Sequence, residues 1–396
     1  MLNHSGVWCS LLNYPHLKYL KLKSALCKQV VIALQTIGSS WDSPAGFSHL
    51  NCPSSSSTSC RLTANRTLLP LTSQYQAVVF HQRDFNWKDI PDRLSRTSSQ
   101  VYIFTSYEAP VWENNENELT QPMKGFFNWS MSFRSDSTLY TPYGGFVKTR
   151  EHPEGAQLDQ MIKKFGEKNK DLAGKKKKTG SSIAQIVSNC NSHSKRENLV
   201  HEMQKLTPVD IYGACGPLDC PQSGSGGDAG WKCYQMMEGR YKFYLSWENA
   251  FCKDYVTEKY FEIAKYNIIP VVLNGAEMEQ IAPKHSYISL EDFNSLPDLV
   301  EYLSLVEKDK QLFASYFWWK DFYSFQDRHV SRHKSWCSLC SSLHQEELVD
   351  WNKEHLLHQA DPKQKKHYSV SDFYQFWVEL AACEPYSFGF KLDTLF

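Results

Sequence analysis

Net charge is the first thing missing. Across 396 residues, 43 basic side chains are offset by 43 acidic ones. The chain as a whole is therefore not drawn to nucleic acid or to an anionic membrane, and neither is expected as a partner. Long apolar runs are also absent. The best window, Ser24 to Gly38, is cut by Lys28, Gln29 and Gln35, whereas a membrane-spanning helix needs about 20 predominantly apolar residues. Met1 to Leu22 mixes His, Lys and Tyr with its leucines and lacks the pattern of a cleaved leader. Zinc spacing is missing as well: Cys337-Ser-Leu-Cys340 finds no second C-x-x-C.

Cysteine itself is plentiful, at twelve residues. Cys52, Cys60, Cys215, Cys220, Cys233, Cys337, Cys340 and Cys383 are the candidates for disulfides. Cys52 and Cys60 are expected to bond to each other, because the Pro/Ser-rich loop between them has little apolar content to order it. Asn3, Asn65 and Asn128 head glycosylation sequons, with Asn65 and Asn128 as the candidate N-glycan sites. Together these features favour an oxidising, glycosylating lumen. Aromatic residues make up 14% of the chain, which suits either stacking against sugar rings or an aromatic core.

The stretch Tyr241 to Leu273, YKFYLSWENAFCKDYVTEKYFEIAKYNIIPVVL, reads as strand, loop, helix and strand. Tyr241 to Leu245 suits a buried strand. Val256, Tyr260, Ile263 and Ala264 share one helical face, with Asp254 expected as the helix cap. Ile268 to Leu273 is the second strand. Such a βαβ unit has parallel strands and holds its ligand at the carboxyl end of the first, against the helix start. Glu248, Asn249, Tyr255, Glu258 and Lys259 fall there. Acids in a first helical turn often only answer the helix dipole, but here they stand beside an amide and a lysine.

Other segments follow the same alternation of short apolar strands and helical spacers, an α/β pattern. Val30–Leu34, Ala77–Phe80, Val101–Phe104, Ile183–Val187 and Val209–Tyr212 are expected strands; a helix carries Leu199, Met203 and Leu206, and another runs from Leu299 to Leu312. Glu108 follows the third strand beside Pro110 and two aromatics, a suitable place for a general base. Phe126 to Gly145 reads as short strands and turns with Arg134 and Asp136 as its notable charges. Ser188, Asn189 and the pair Lys195–Arg196 lie near a helix start, suited to a diphosphate. Lys175 to Lys178 lacks interleaved aromatics and reads as solvated linker. Residues 1–28 read as a stem remnant, 29–162 as an N-terminal domain, 163–180 as a basic linker, 181–335 as a nucleotide-binding domain and 336–396 as a Cys-containing tail. Trp351, Phe373, Trp377 and Phe388 imply that the tail packs onto something.

Several of these blocks carry a resemblance. WENAFCKDYVTEKYF is similar to the donor-binding motif of the α1,3-fucosyltransferases, roughly F-E-N-S followed by D-Y-V/I-T-E-K, and IIPVVLNGAEMEQIAPKHSYISLEDF resembles that family's continuation. NWSMSFRSDS with TPYGG, VSNC with RENL, and WCSLCSSLH are similar to further family blocks, in the family's order. Residues 30 to 345 are covered. Trp247, Ala250 and Ala109 depart from the usual Phe, Ser and Ser.

The resemblance implies an α/β fold of two Rossmann-like domains facing a cleft, the GT-B type of glycosyltransferase. It implies an inverting enzyme that moves fucose from GDP-fucose to the 3-hydroxyl of an N-acetylglucosamine. The blocks are most like invertebrate members acting on the N-glycan core of glycoproteins; transfer to a Lewis-type antenna and a catalytically inactive sugar-nucleotide- or glycan-binding relative are the alternatives. Glu108 and Glu258 are then the catalytic candidates. Arg196, Ser188, Asn189, Glu248, Asn249, Tyr255 and Lys259 would bind the donor, and Arg134 and Asp136 would face the acceptor. No D-x-D-like clamp stands near the nucleotide blocks, so no obligatory cofactor is expected and dependence on a divalent metal is left open. Family members are anchored in the Golgi by a single span. The Golgi lumen is accordingly expected, through an anchor not visible in this chain.

Overall fold

The protein is described by a computed structural model over residues 30–34, 48–50, 52, 60–65, 69, 74–82, 85, 90–91, 96–112, 125–173, 180–220, 229–345, 375–379 and 381–383. The expected stem and most of the tail, with Trp351, Phe373 and Phe388, lie outside those residues. The chain divides into two compact units, 1–105 with 336–350 and 106–335 with 351–396.

In the first unit β1 (Val30–Leu34), β2 (Ser48–Leu50), β3 (Cys60–Thr63), β4 (Ala77–His81) and β5 (Val101–Ser106) lie in the order β2-β3-β1-β4-β5. All neighbours are parallel except β2 and β3. Ala77, Val78, Val79 and Phe80 are all buried, the unbroken apolar run expected of a strand covered on both faces. Cys52 and Cys60 do not bond to each other. Cys52 is joined to Cys337 and Cys60 to Cys340. The two partners sit three apart on one helix, Arg328–Gln345, so they present both sulfurs on one face and fasten two strand-side cysteines at once.

The second unit opens with the parallel pair β6 (Trp129–Ser132) and β7 (Leu139–Tyr140), then β8 (Gly145–Lys148) and helix α1 (Gly155–Lys168). Residues 163–168, expected as linker, are the end of α1, because Leu158, Ile162 and Gly166 give it a buried stripe. A Cβ at Gly166 would lie 2.3 Å from the carbonyl oxygen of Gln311, so only glycine lets the two backbones approach.

Five strands follow: β9 (Ile183–Ile186), β10 (Val209–Tyr212), β11 (Phe243–Trp247), β12 (Ile269–Leu273) and β13 (Ile288–Ser289). Helices α2 (Arg196–Leu206), α3 (Ala229–Glu238), α4 (Glu258–Ala264) and α5 (Met278–Ile281) connect them. All are parallel, in the order β10-β9-β11-β12-β13. Strand alternation assigns the two cores. Ile183, Phe243, Leu245, Trp247, Ile269, Val271 and Leu273 pack on one face, while Ala184 and Tyr244 pack on the other. The Tyr241 amide bonds back to Met237, so β11 starts two residues later than the apolar run. Pro270 is tolerated because the neighbouring Ile269 amide points to β11. Its own missing N–H faces the β13 side, where pairing begins only at Val271.

Beyond β13, the expected helix is broken by Asp309 into α6 (Leu296–Lys308) and α7 (Lys310–Ser315); the Asp309 carboxylate caps the second through Gln311 and Leu312. β14 (Tyr323–Gln326) pairs antiparallel with β8; α8 (Arg328–Gln345) follows, and a π-helical turn at Gln375–Glu379 is the last described element.

His285 lies in the loop between α5 and β13 with a left-handed backbone, φ 57°. Its ring stacks on Tyr316 at 4.0 Å and its Nε2 meets Ser315 Oγ at 2.8 Å. Burial, aided by Lys284, lowers its pKa from 6.5 to about 4, with Asp159 opposing. The unfolded chain therefore binds more protons than the folded one between these values, and stability should fall as pH drops from about 6.5 toward 4. Asparagine accepts the same backbone conformation. Urea denaturation against pH should show His285→Asn losing up to about 3 kcal/mol less than wild type over this window.

Candidate functional site

The carboxyl edge of β11 is held by one buried carboxylate. The Glu248 side chain is 0% exposed and accepts from the Thr257 amide at 2.7 Å and from Thr257 Oγ1 at 2.8 Å. Thr257 is the N-cap residue of α4, yet its own side chain makes no capping bond. Glu248, just past β11, instead fixes the N-cap residue itself through its amide and hydroxyl. Asp254, the expected cap, does something else: its backbone is left-handed, φ 60°, and its Oδ2 accepts from the amide and hydroxyl of Ser135 at 3.0 and 2.6 Å.

Lys259 lies over this arrangement. Its Nζ donates to Thr257 Oγ1 at 2.8 Å and Glu258 Oε1 at 3.0 Å, and pairs with Glu248 Oε2 at 3.1 Å. Its three N–H directions are thus committed. Burial works against its charge, but Glu248 and Glu258 raise its pKa, with Arg196 opposing. Burial pushes the Glu248 carboxyl up; Lys259 pulls it down and Glu258 adds to the rise. Burial would raise Glu258 too, but Lys259 prevails and holds it below the ordinary carboxylate range. Glu258 is the exposed member of the group, its side chain 33% accessible.

Arg196 begins α2 and is buried. Its Nη1 donates to the Trp247 carbonyl, and Ser194 binds the Glu248 carbonyl through its hydroxyl at 2.7 Å and the Asn249 carbonyl through its amide at 3.0 Å. The β9–α2 loop is thereby sewn to the end of β11, and Cys190–Cys215 ties it to the loop after β10. Nε of Arg196 and Oδ1 of Asn249 are buried without a partner. Native proteins seldom leave such groups unsatisfied, so this edge is prepared to bind. Ser188 is exposed, and half-buried Asn189 accepts from the Asn191 amide. A cavity of about 580 Å³ opens further along, lined among others by Asn274, His285, Tyr287, Glu291 and Tyr302.

Glu108 is half-buried in the turn after β5. Its amide donates to Ser106 Oγ at 3.1 Å, while Tyr143 donates to the neighbouring Tyr107 carbonyl at 2.6 Å. Arg332 stands 4.2 Å over the Tyr107 ring. Tyr255, three residues before Glu258, donates its hydroxyl to Glu108 Oε2 at 3.3 Å. Burial, and then Tyr143, Glu108, Glu248 and Glu258, push the Tyr255 phenol well up. The structure therefore brings Glu108, Tyr255, Glu248, Glu258, Lys259 and Arg196 into one neighbourhood of the second unit. Tyr143 belongs to it and was missed, although it stands inside the TPYGG block.

Arg134 and Asp136 are paired with each other, and Asp136 also faces Lys253 at 3.6 Å. Arg134 is fully buried and grips Asp136 with two bonds, Nε to Oδ1 at 2.9 Å and Nη2 to Oδ2 at 2.5 Å. Its remaining nitrogen reaches the Phe376 carbonyl. That pair anchors the tail, which is what Trp377 packs for. All eight named cysteines are in disulfides, with Cys190 and Cys252 added to them; Cys220 joins Cys233 and Cys252 joins Cys383. His344 approaches the sulfurs of Cys60 and Cys340, but both are spent in their disulfide. Asn128 is exposed and Asn65 half-buried.

Comparison with known proteins adds two family models and three relatives. A family model described as Glycosyltransferase family 10 (fucosyltransferase) C-term matches residues 173–358, and one described as Fucosyltransferase, N-terminal matches residues 28–144. Alpha-(1,3)-fucosyltransferase C of Drosophila melanogaster is 34% identical over 298 residues, covering 72% of this chain and 64% of its own length. Glycoprotein 3-alpha-L-fucosyltransferase A of the same species is 31% identical over 349 residues, covering 86% of this chain and 61% of its own length. The chain thus spans less than two thirds of either. The human 4-galactosyl-N-acetylglucosaminide 3-alpha-L-fucosyltransferase FUT6 is 32% identical over 297 residues, with 72% of each chain covered.

The buried charges give a stability test. Glu248→Gln keeps an acceptor for Thr257 but withdraws one of the anions on Lys259. Breaking a buried pair on one side costs about 3 kcal/mol. Removing Lys259 as well, as Glu248→Gln/Lys259→Met, leaves no stranded cation and should recover part of that loss. Chemical denaturation of both variants and Lys259→Met alone measures the coupling.

Proposed function

Because this chain belongs to glycosyltransferase family 10, the fucosyltransferases, we propose that it transfers L-fucose from GDP-fucose to the 3-hydroxyl of an N-acetylglucosamine, with inversion at the fucosyl carbon. One observation carries the reading: Tyr255, on the loop leading to Glu258 and Lys259, donates its hydroxyl to Glu108. The candidate base and the candidate donor loop are in direct contact. The acceptor oxygen attacks C1 of fucose as the C1–O bond to the diphosphate breaks, and the electron pair leaves with GDP. Glu108 takes the acceptor proton. Arg196, with Nε unpartnered, answers the charge that develops on the diphosphate. Lys259 joins it by exchanging Glu258 for a phosphate oxygen. Glu258, accessible and ionised, is then released toward the sugar, where its charge favours an oxocarbenium-like centre.

The Asn-linked N-acetylglucosamine of an N-glycan core is the acceptor of choice, supported by the similarity to the Drosophila protein named glycoprotein 3-alpha-L-fucosyltransferase A. The similarity to human FUT6 supports the antennal alternative, and mass spectrometry of product glycans separates the two. A Golgi lumen fits the disulfides and sequons.

Glu108→Gln preserves shape but cannot take a proton. Transfer should fall by about 10²–10⁴-fold while GDP-fucose affinity, measured by calorimetry, stays within about twofold. Arg196→Ala should weaken GDP binding by about 1.5–3 kcal/mol, and Glu258→Ala should leave it nearly unchanged while abolishing transfer. A fully folded, fully active Glu108→Gln enzyme would remove this residue from the mechanism.

A further inference from the structure

The tail residues 375–379 and 381–383 touch both halves of the site. On one side it is covalently joined to the donor loop: Cys383 bonds to Cys252, and the next residue, Lys253, donates its amide to the Ala381 carbonyl at 2.8 Å. On the other side it packs against Pro110–Trp112, the turn just after Glu108. Between these points Arg134 donates to the Phe376 carbonyl and lies 4.7 Å over the Phe376 ring. The fully buried Trp377 ring stands 5.8 Å from Phe133. Phe133 in turn lies 4.9 Å from Tyr255, and Tyr255 reaches Glu108.

A continuous set of contacts therefore runs from the tail through Trp377, Phe133 and Tyr255 to the carboxylate. Such packing is costly to leave undone. Trp377 and Phe376 bury large aromatic area, and a buried arginine must keep its partners. The loop it steadies turns at Asp254, whose left-handed backbone is pinned from the opposite side by the amide and hydroxyl of Ser135.

We propose that residues 375–379 and 381–383 form a positioning element for the transfer reaction: the Cys252–Cys383 link and the Trp377–Phe133 contact hold Tyr255 against Glu108, so that the base meets the acceptor hydroxyl in reactive geometry. None of these tail residues is a catalytic residue; each acts through Tyr255. The proposal rests on Glu108 being the base. A misplacement of about 1 Å in such a constellation can cost 10²-fold in rate, while the phosphate-facing groups, Arg196 and Lys259, are held by β11 and α4 and do not depend on the tail.

The test uses the full chain with GDP-fucose and an N-glycan core glycopeptide. Cys252→Ala/Cys383→Ala, Trp377→Ala and Trp377→Phe are compared with wild type for melting temperature, GDP affinity, KM for each substrate and kcat. Expected are folded proteins, GDP affinity within about twofold, KM for GDP-fucose nearly unchanged, and kcat lowered about 10- to 100-fold in the first two variants, with most of it recovered in Trp377→Phe. Should Trp377→Ala not fold, the double cysteine variant carries the same comparison. Folded variants with wild-type kcat, or a kcat loss matched by an equal loss of GDP binding, would overturn the positioning role. Glu108→Gln is measured alongside: if it is fully active, the base assignment fails, whereas an inactive Glu108→Gln with fully active tail variants sinks only the positioning role.

Discussion

The carboxylate of Glu248 is the constraint on which the donor edge depends. A fully buried anion must be answered on every side, and here the answers come from Thr257 and Lys259, which begin the next helix. Strand and helix are therefore locked in register by charge, and not by apolar packing alone. Ser246 adds to the lock by donating to the Lys259 carbonyl at 2.9 Å. An apolar substitute for the pair would be no less stable in principle. What the ions add is a fixed direction for the exposed Glu258, which stands on the helix that Glu248 starts.

Charge balance at this edge also limits how it can bind. Glu248 and Glu258 together neutralise Lys259 and the nearby Arg196, so no large positive field waits for a diphosphate. Binding on the proposed reading is an exchange of partners, in which phosphate oxygens replace Glu258 on the lysine. Exchange costs less desolvation than bringing an anion to a bare buried cation, since the ammonium never loses a counter-charge.

What was legible in the sequence follows from how local the forces are. Strands such as Ala77–His81 and Ile269–Leu273 announce themselves through unbroken apolar runs, because a parallel sheet is covered on both faces. The periodicity of Val256, Tyr260 and Ile263 placed α4 correctly. Glu248, Glu258, Lys259, Arg196 and Glu108 were expected from chemistry at strand ends and from motif likeness, and the fold sets them near one another. The failures are non-local. Asp254 looked like a cap by spacing, but the helix begins after Thr257, whose amide binds Glu248 nine residues upstream, and Asp254 turns to Ser135. For Arg134 and Asp136, local sequence carried no sign of the Phe376 carbonyl, 242 residues away, that Arg134 also binds. Cys52 and Cys60 looked like neighbours closing a loop, yet helix α8 offered two correctly spaced partners.

Those two bonds have a consequence for how the chain is made. Cys52 is separated from Cys337 by 285 positions and Cys60 from Cys340 by 280. At a synthesis rate of about 5–20 residues per second, each early cysteine waits on the order of tens of seconds for its mate to emerge. Throughout that interval the nearest thiol available to Cys52 is Cys60. Reaching the native state therefore calls for a thiol–disulfide exchange catalyst to keep that short-circuit reversible. The first sheet can be closed covalently only after almost all of the second unit has been synthesised.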